Sequence, residues 1–121
     1  MGSSSRNAAH LLQLYKRLDG NFVAFDMDDR MKNIDRYNQS EPFHYDARMI
    51  NSTNIAIIYT ENDWFNSVEH VQRLRQTLPK PLIDDYLVPN ESYGHLDLLW
   101  GYNVGQLVNE RIMNILNRYD D

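Results

Sequence analysis

Two titratable side chains each follow a predicted strand of this chain by only a few residues. Asp63 lies four residues beyond the apolar run Ile55–Tyr59, and His95 lies seven residues beyond the segment Leu82–Val88. Because neighbouring parallel strands deliver their following loops to the same edge of a sheet, we expect the two side chains to meet. A carboxylate held against one imidazole nitrogen fixes the tautomer and stabilises the imidazolium. A general base that serves a hydroxyl nucleophile needs that arrangement.

The elements that must position this pair read as strand, helix, strand and helix between residues 55 and 118. The β-branched run at 55–59 is typical of a strand covered on both faces. A helix over residues 67–78, capped by Ser67, separates it from the second strand, and a last helix begins near Asn103. This order predicts an α/β fold in which the two strands run parallel. Two strands alone leave faces and edges uncovered, so either this sequence is part of a longer protein that completes the sheet or its first 54 residues provide the cover.

The first 54 residues give weaker signals. Apolar spacing predicts an amphipathic helix over residues 6–18, with Ser5 as its N-cap and Gly20 just past its end. Residues 26–54 show no clear periodicity, so we expect them to be mostly irregular. The acidic stretch at 26–29 begins like a calcium loop, but Arg30 stands where a ligand should follow. A solvated acidic loop is therefore the favoured interpretation.

Composition excludes several classes of function. The 121 residues hold 12 Lys and Arg against 17 Asp and Glu, a formal net charge of −5, so we expect no nucleic-acid partner. The absence of Cys rules out disulfides and thiolate chemistry, and the sequence contains neither a membrane-spanning apolar run nor a signal-peptide pattern. We expect no cofactor. A metal site joining Asp97 to Asp63 and His95 is disfavoured because no spaced His pair accompanies them.

The segments around the pair resemble those of a known family. The stretches concerned are Ile55–Phe65 (IAIIYTENDWF) and Val88–Gly101 (VPNESYGHLDLLWG), with Ser4–Gln13 (SSRNAAHLLQ), Phe25–Asp26 and Tyr37–Pro42 (YNQSEP) upstream. They are similar to the C-terminal part of the acid lipases, the α/β-hydrolases that include gastric and lysosomal lipases and insect relatives. The resemblance implies that Asp63 is the triad acid and His95 the triad base. It further implies that residues 1–50 derive from the cap region and residues 51–121 from the α/β-hydrolase core.

Two features depart from the family pattern. Thr60 and Glu61 stand where the family usually has a Gly pair before the acid, which places the turn that aims Asp63 in question. In addition, no G-x-S-x-G elbow occurs in the 121 residues, so the sequence holds neither the nucleophile nor its oxyanion hole. We therefore expect negligible esterase activity from these residues alone.

The resemblance implies hydrolysis of neutral-lipid esters, triacylglycerol or sterol ester, by a Ser-Asp-His mechanism. It also implies a secreted or lysosomal compartment, with which possible glycosylation sites at Asn38, Asn51 and Asn90 agree. The alternative is a non-catalytic truncated lipase that acts at most as a lipid-binding or partner-binding remnant. An exposed sheet edge would then favour self-association.

Overall fold

The computed structural model describes residues 4–17 and 21–118. The chain divides into two compact units, residues 1–46 and residues 47–121. Both are mixed in secondary structure, and each contains one two-stranded sheet among its described residues. The helices and strands of the first unit are α1 (Ser5–Lys16), β1 (Phe22–Val23), α2 (Arg30–Tyr37) and β2 (His44–Tyr45).

In the first unit, α1 begins one residue earlier than predicted. Its N-cap is Ser4, whose hydroxyl accepts from the Asn7 N–H, so the prediction of Ser5 as the cap is wrong. The helix ends at Lys16 with Arg17 as its C-cap, and the predicted stop at Gly20 lies outside the described residues. Strands β1 and β2 pair antiparallel.

Residues 26–54 are mostly irregular, as predicted, but α2 and β2 lie within them and were not predicted. Asp29 caps α2 by accepting from the Met31 and Lys32 N–H groups. The helix ends at Tyr37, and its C-cap Asn38 takes the left-handed conformation with φ 58°. The acidic stretch thus supplies a helix cap.

The second unit contains the predicted strand-helix-strand-helix order. Its elements are a 3₁₀ turn (Ala47–Met49), β3 (Ala56–Tyr59), α3 (Val68–Thr77), β4 (Asp84–Leu87), α4 (Asp97–Trp100), a π-helical turn (Gly105–Asn109) and α5 (Glu110–Leu116). Strands β3 and β4 pair parallel, which confirms the predicted topology. The short α4 and the π-helical turn were not predicted, and α5 ends at Leu116, short of the predicted 118.

Two adjacent aspartates on β4 tie helices to the strand pair. Asp84 forms a bidentate ion pair with Arg111 of α5, and Asp85 pairs with Arg75 of α3, with 2.7 Å between the Arg75 Nε and a carboxylate oxygen. Because successive strand residues point to opposite faces, these pairs connect the two helices to opposite faces of the sheet.

The core of this unit includes residues of the segment that follows β4. Its buried members are Val88 and Tyr93 of that segment and Val108. The partly buried side chains packed against them are Ile58, Tyr86, Leu98, Val104 and Leu107. Because Val88 directly follows β4 and Tyr93 precedes His95 by two residues, core packing fixes the base of the loop that carries His95.

Candidate active site

Asp63 is held at the carboxyl end of β3 by its own loop. One carboxylate oxygen, Oδ1, accepts from the Phe65 N–H at 2.7 Å and from the Asn66 N–H at 3.1 Å. Such bonds from an Asp to the backbone two and three residues on define a compact turn and fix the side-chain direction. The side chain is only 5% exposed, so the second oxygen, Oδ2, is presented from a nearly buried carboxylate.

His95 meets that second oxygen from the loop after β4. Its Nδ1 lies 2.9 Å from the Asp63 Oδ2, across 32 residues of sequence. The imidazole is 45% exposed, and the ring of Phe65 contacts it edge-on with 5.1 Å between the ring centroids. The structure thus brings together the two side chains that the shared sheet edge predicts to be neighbours.

The surroundings of Asp63 favour its ionised form. Burial alone would raise its pKa, but the His95 hydrogen bond and the Phe65 and Asn66 N–H donors outweigh burial, and the pKa falls below its ordinary 3.8. An ionised carboxylate at Nδ1 holds the proton on that nitrogen and stabilises the imidazolium. Nε2 is then the ring nitrogen with a free lone pair, which is the state a general base requires.

The turn that aims Asp63 forms without the glycine pair. Glycines are needed in a turn chiefly where φ is positive. Among the described non-glycine residues only Asp28 and Asn38 have a positive φ, so Thr60 and Glu61 take ordinary backbone conformations. Thr60 is fully buried, and its hydroxyl has no hydrogen-bond partner in the described part of the chain. Thr60 and Glu61 are therefore compatible with the turn, and the unfavourable consequence is that the Thr60 hydroxyl is buried without a hydrogen bond in the described residues.

Several large aromatic side chains near the pair in sequence are exposed. Trp64 is 89% exposed, Trp100 is 75% exposed and Tyr102 is fully exposed. The sequence alone does not tell which aromatic side chains are buried in the core and which are exposed, because the same residue types occur in both places. These rings and the Asp63–His95 pair belong to the same unit of the chain.

The three glycosylation candidates differ in exposure. Asn38 and Asn51 are exposed. Asn90 is half-buried, and its side-chain oxygen accepts from both the backbone N–H and the hydroxyl of Ser92. Among the described residues no cluster of three metal-binding side chains occurs, and none of the described helices is long and apolar enough to cross a membrane.

Comparison with known proteins gives a consistent set of relatives. No protein-family model matches the chain. Lipase 3 of Drosophila melanogaster is 30% identical over 98% of this chain, bovine gastric triacylglycerol lipase is 31% identical over 95%, and human lysosomal acid lipase/cholesteryl ester hydrolase is 30% identical over 98%. The chain spans only 28–29% of the length of these relatives.

The second unit, of mixed helix and strand, brings Asp63 and His95 into contact at one edge of its parallel sheet, which is an acid-base pair of side chains. The relatives that the chain matches are lipases. The resemblance to gastric and lysosomal lipases, predicted from the segments around residues 63 and 95, is confirmed across nearly the whole chain.

Proposed function

We propose that this chain carries the acid-base part of a lipase-like ester hydrolase, with Asp63 as the orienting acid and His95 as the general base. The contact of 2.9 Å between the His95 Nδ1 and a nearly buried Asp63 oxygen carries the proposal. A merely solvated histidine would need no buried carboxylate behind it, since burying a carboxylate costs free energy. The similarity to lipases supplies the reaction class.

In this proposal, His95 Nε2 takes the proton of a hydroxyl whose oxygen attacks the ester carbonyl carbon. The imidazolium, stabilised by Asp63, then donates that proton to the departing alcohol, which leaves an acyl-enzyme. Water attacks the acyl group with His95 again as base, and the carboxylic acid is released. These 121 residues hold no G-x-S-x-G elbow, so the hydroxyl comes from residues outside this sequence.

The substrate class follows from the relatives and stays part of the proposal. One relative is named for triacylglycerol and another for cholesteryl ester, so we propose carboxylic esters of neutral lipids. We further propose that residues 51–121 are the C-terminal part of an α/β-hydrolase core and residues 1–50 part of its cap. A secreted or lysosomal compartment goes with this assignment, and the exposed sequons at Asn38 and Asn51 support it.

A chimera tests the proposed function. This chain replaces the 119-residue segment of Drosophila Lipase 3 that it matches, so that the remainder of the relative supplies the other parts of the site. We expect hydrolysis of p-nitrophenyl butyrate by the folded chimera and a loss of at least about 10³-fold on His95→Ala, because triad members act as a unit. His44→Ala, at an exposed histidine in the other unit, is the matched control and should leave the rate unchanged. A folded chimera whose rate ignores His95→Ala would contradict the proposal.

A second candidate function is a non-catalytic remnant that associates with itself or with a partner. The specific observation in its favour is the two-stranded β3–β4 sheet, which pairs with no further strand in the described residues. Sedimentation velocity of the 121-residue chain tests it, because association through that edge gives a dimer whose fraction rises with concentration. A monomer at all concentrations would contradict self-association.

The isolated chain tests whether the nucleophile lies outside these 121 residues, as the proposed function requires. We expect equal background hydrolysis of p-nitrophenyl butyrate by the wild-type chain and by His95→Ala, because the nucleophile is missing from these residues. A His95-dependent rate would show instead that another group of this chain attacks the ester.

A further inference from the structure

A closed turn carries His95, and Asp97 closes it. The Asp97 side-chain oxygen Oδ2 accepts from the Gly94 N–H at 2.8 Å, and the Asp97 N–H donates to the Gly94 carbonyl at 3.2 Å. Both polar groups of the Gly94 backbone are therefore satisfied by one residue. His95 and Leu96 lie inside the ring that these two bonds form, so the direction of the imidazole depends on the ring being closed.

The same turn rests against the loop of the acid. A Cβ built on Gly94 would lie 3.3 Å from the backbone oxygen of Asn62, the residue before Asp63. That distance is tighter than most Cβ contacts, so the absence of a side chain at Gly94 lets the two loops approach. Gly94 is thus the point at which the His95 turn touches the Asp63 loop, and Asp97 holds it there.

The other side of the turn is fixed independently. Tyr93 is 6% exposed, and its hydroxyl oxygen accepts from the Asn103 N–H at 3.1 Å. Core packing therefore anchors the residue before Gly94 whether or not the Asp97 carboxylate is present. Loss of that carboxylate would leave the Gly94 N–H without its acceptor and the turn closed only by the backbone bond from the Asp97 N–H, with Tyr93 still in place.

We propose that Asp97 is a positioning residue for the Asp63–His95 pair: through the Gly94 N–H it holds the imidazole with Nδ1 on the Asp63 carboxylate. The hydrogen bond does this, and the negative charge of Asp97 is not required. The inference rests on the proposed acid-base role of the pair. It makes a separate claim about geometry, which is measurable without substrate.

The test uses nuclear magnetic resonance on the whole 121-residue chain. Two signals report the pair: the far-downfield proton between His95 Nδ1 and Asp63, and the pKa of Asp63 followed by its carboxyl carbon. In Asp97→Ala we expect loss of the downfield proton and a rise of the Asp63 pKa toward its ordinary 3.8, because the His95 bond helps to lower it. Dispersed amide resonances confirm that the variant is folded, so a purely structural defect is recognised.

Two further variants make the outcome decisive. Asp97→Asn keeps an oxygen acceptor without the charge, so both signals should match the wild type. Glu91→Gln removes a charge at an exposed position of the same loop, and it should change neither signal. A folded Asp97→Ala that keeps both signals, or an Asp97→Asn that loses them, would overturn the proposal. Neither result bears on the His95 dependence of the chimera's hydrolysis rate, so failure of the positioning claim is distinguishable from failure of the proposed function.

Discussion

Gly101, six residues beyond His95, leaves no space for a side chain. A Cβ at this position would lie 2.6 Å from the Asp97 carbonyl oxygen and 2.8 Å from the Tyr93 ring. Ordinary Cβ contacts begin near 3.4 Å, so the carbonyl is about 0.8 Å too close. Neither neighbour can yield freely. The Asp97 carbonyl accepts from the Gly101 N–H at 2.9 Å, and the Tyr93 ring is buried in the core beneath the site.

We therefore expect Gly101→Ala to lower the free energy of unfolding by about 1–3 kcal/mol, the usual cost of overpacking. Urea unfolding followed by circular dichroism measures it. Gly105→Ala is the matched control, because a Cβ there meets nothing within 4 Å. At that helical position alanine should raise the stability by about 0.5–1 kcal/mol. The two substitutions should thus change the free energy of unfolding in opposite directions. A Gly101→Ala variant as stable as the wild type would refute the packing argument.

Four further predictions concern the same unit. Thr60→Val should stabilise by about 1 kcal/mol in urea unfolding, because it removes a buried hydroxyl without a partner in the described residues. Val88→Ala should destabilise by about 2 kcal/mol through the cavity that it leaves. Arg111→Met should lower the melting temperature, because it leaves the carboxylate of Asp84 buried without its cation. The pKa values of Asp63 and Asp84 lie below 3.8, so their ionised forms add stability above that pH; acid titration should show this stability lost as the pH falls through the lowered values.

Sequence reasoning succeeded where periodicity and topology determine structure. The β-branched run before Asp63 forms β3, and its parallel pairing with β4 places the following loops at one edge. The juxtaposition of Asp63 with His95 follows from that topology, without any local signal that links the two residues. The Ser67 cap was also predicted correctly, because capping is a local interaction.

Helix α2 shows why part of the fold was missed. Its buried residue is Asn33, a polar side chain whose amide donates to the Asp26 carboxylate and whose oxygen accepts from the Met27 N–H. Its apolar residues Met31 and Ile34 are exposed. A search for an apolar stripe therefore finds no helix, because the buried position of α2 is a hydrogen-bonded asparagine and two of its apolar residues face solvent.

The details of the site depend on contacts that no sequence pattern encodes. The approach of Gly94 to Asn62 requires knowledge of how two loops pack. The exposure of Trp64 and Trp100 is likewise a tertiary property. The spacing of Gly94, His95 and Asp97 could have suggested a capped turn, since Asp three residues after a turn's start commonly accepts a backbone N–H.

A double-mutant cycle in the Lipase 3 chimera tests the central claim most directly, namely that Asp63 and His95 act as one acid-base unit. The rate of p-nitrophenyl butyrate hydrolysis is measured for the chimera, for Asp63→Asn, for His95→Ala and for the double variant. If the pair is a unit, each single substitution slows hydrolysis and the double variant is no slower than His95→Ala alone. Losses that multiply in the double variant, or an Asp63→Asn rate equal to that of the unaltered chimera, would contradict the account.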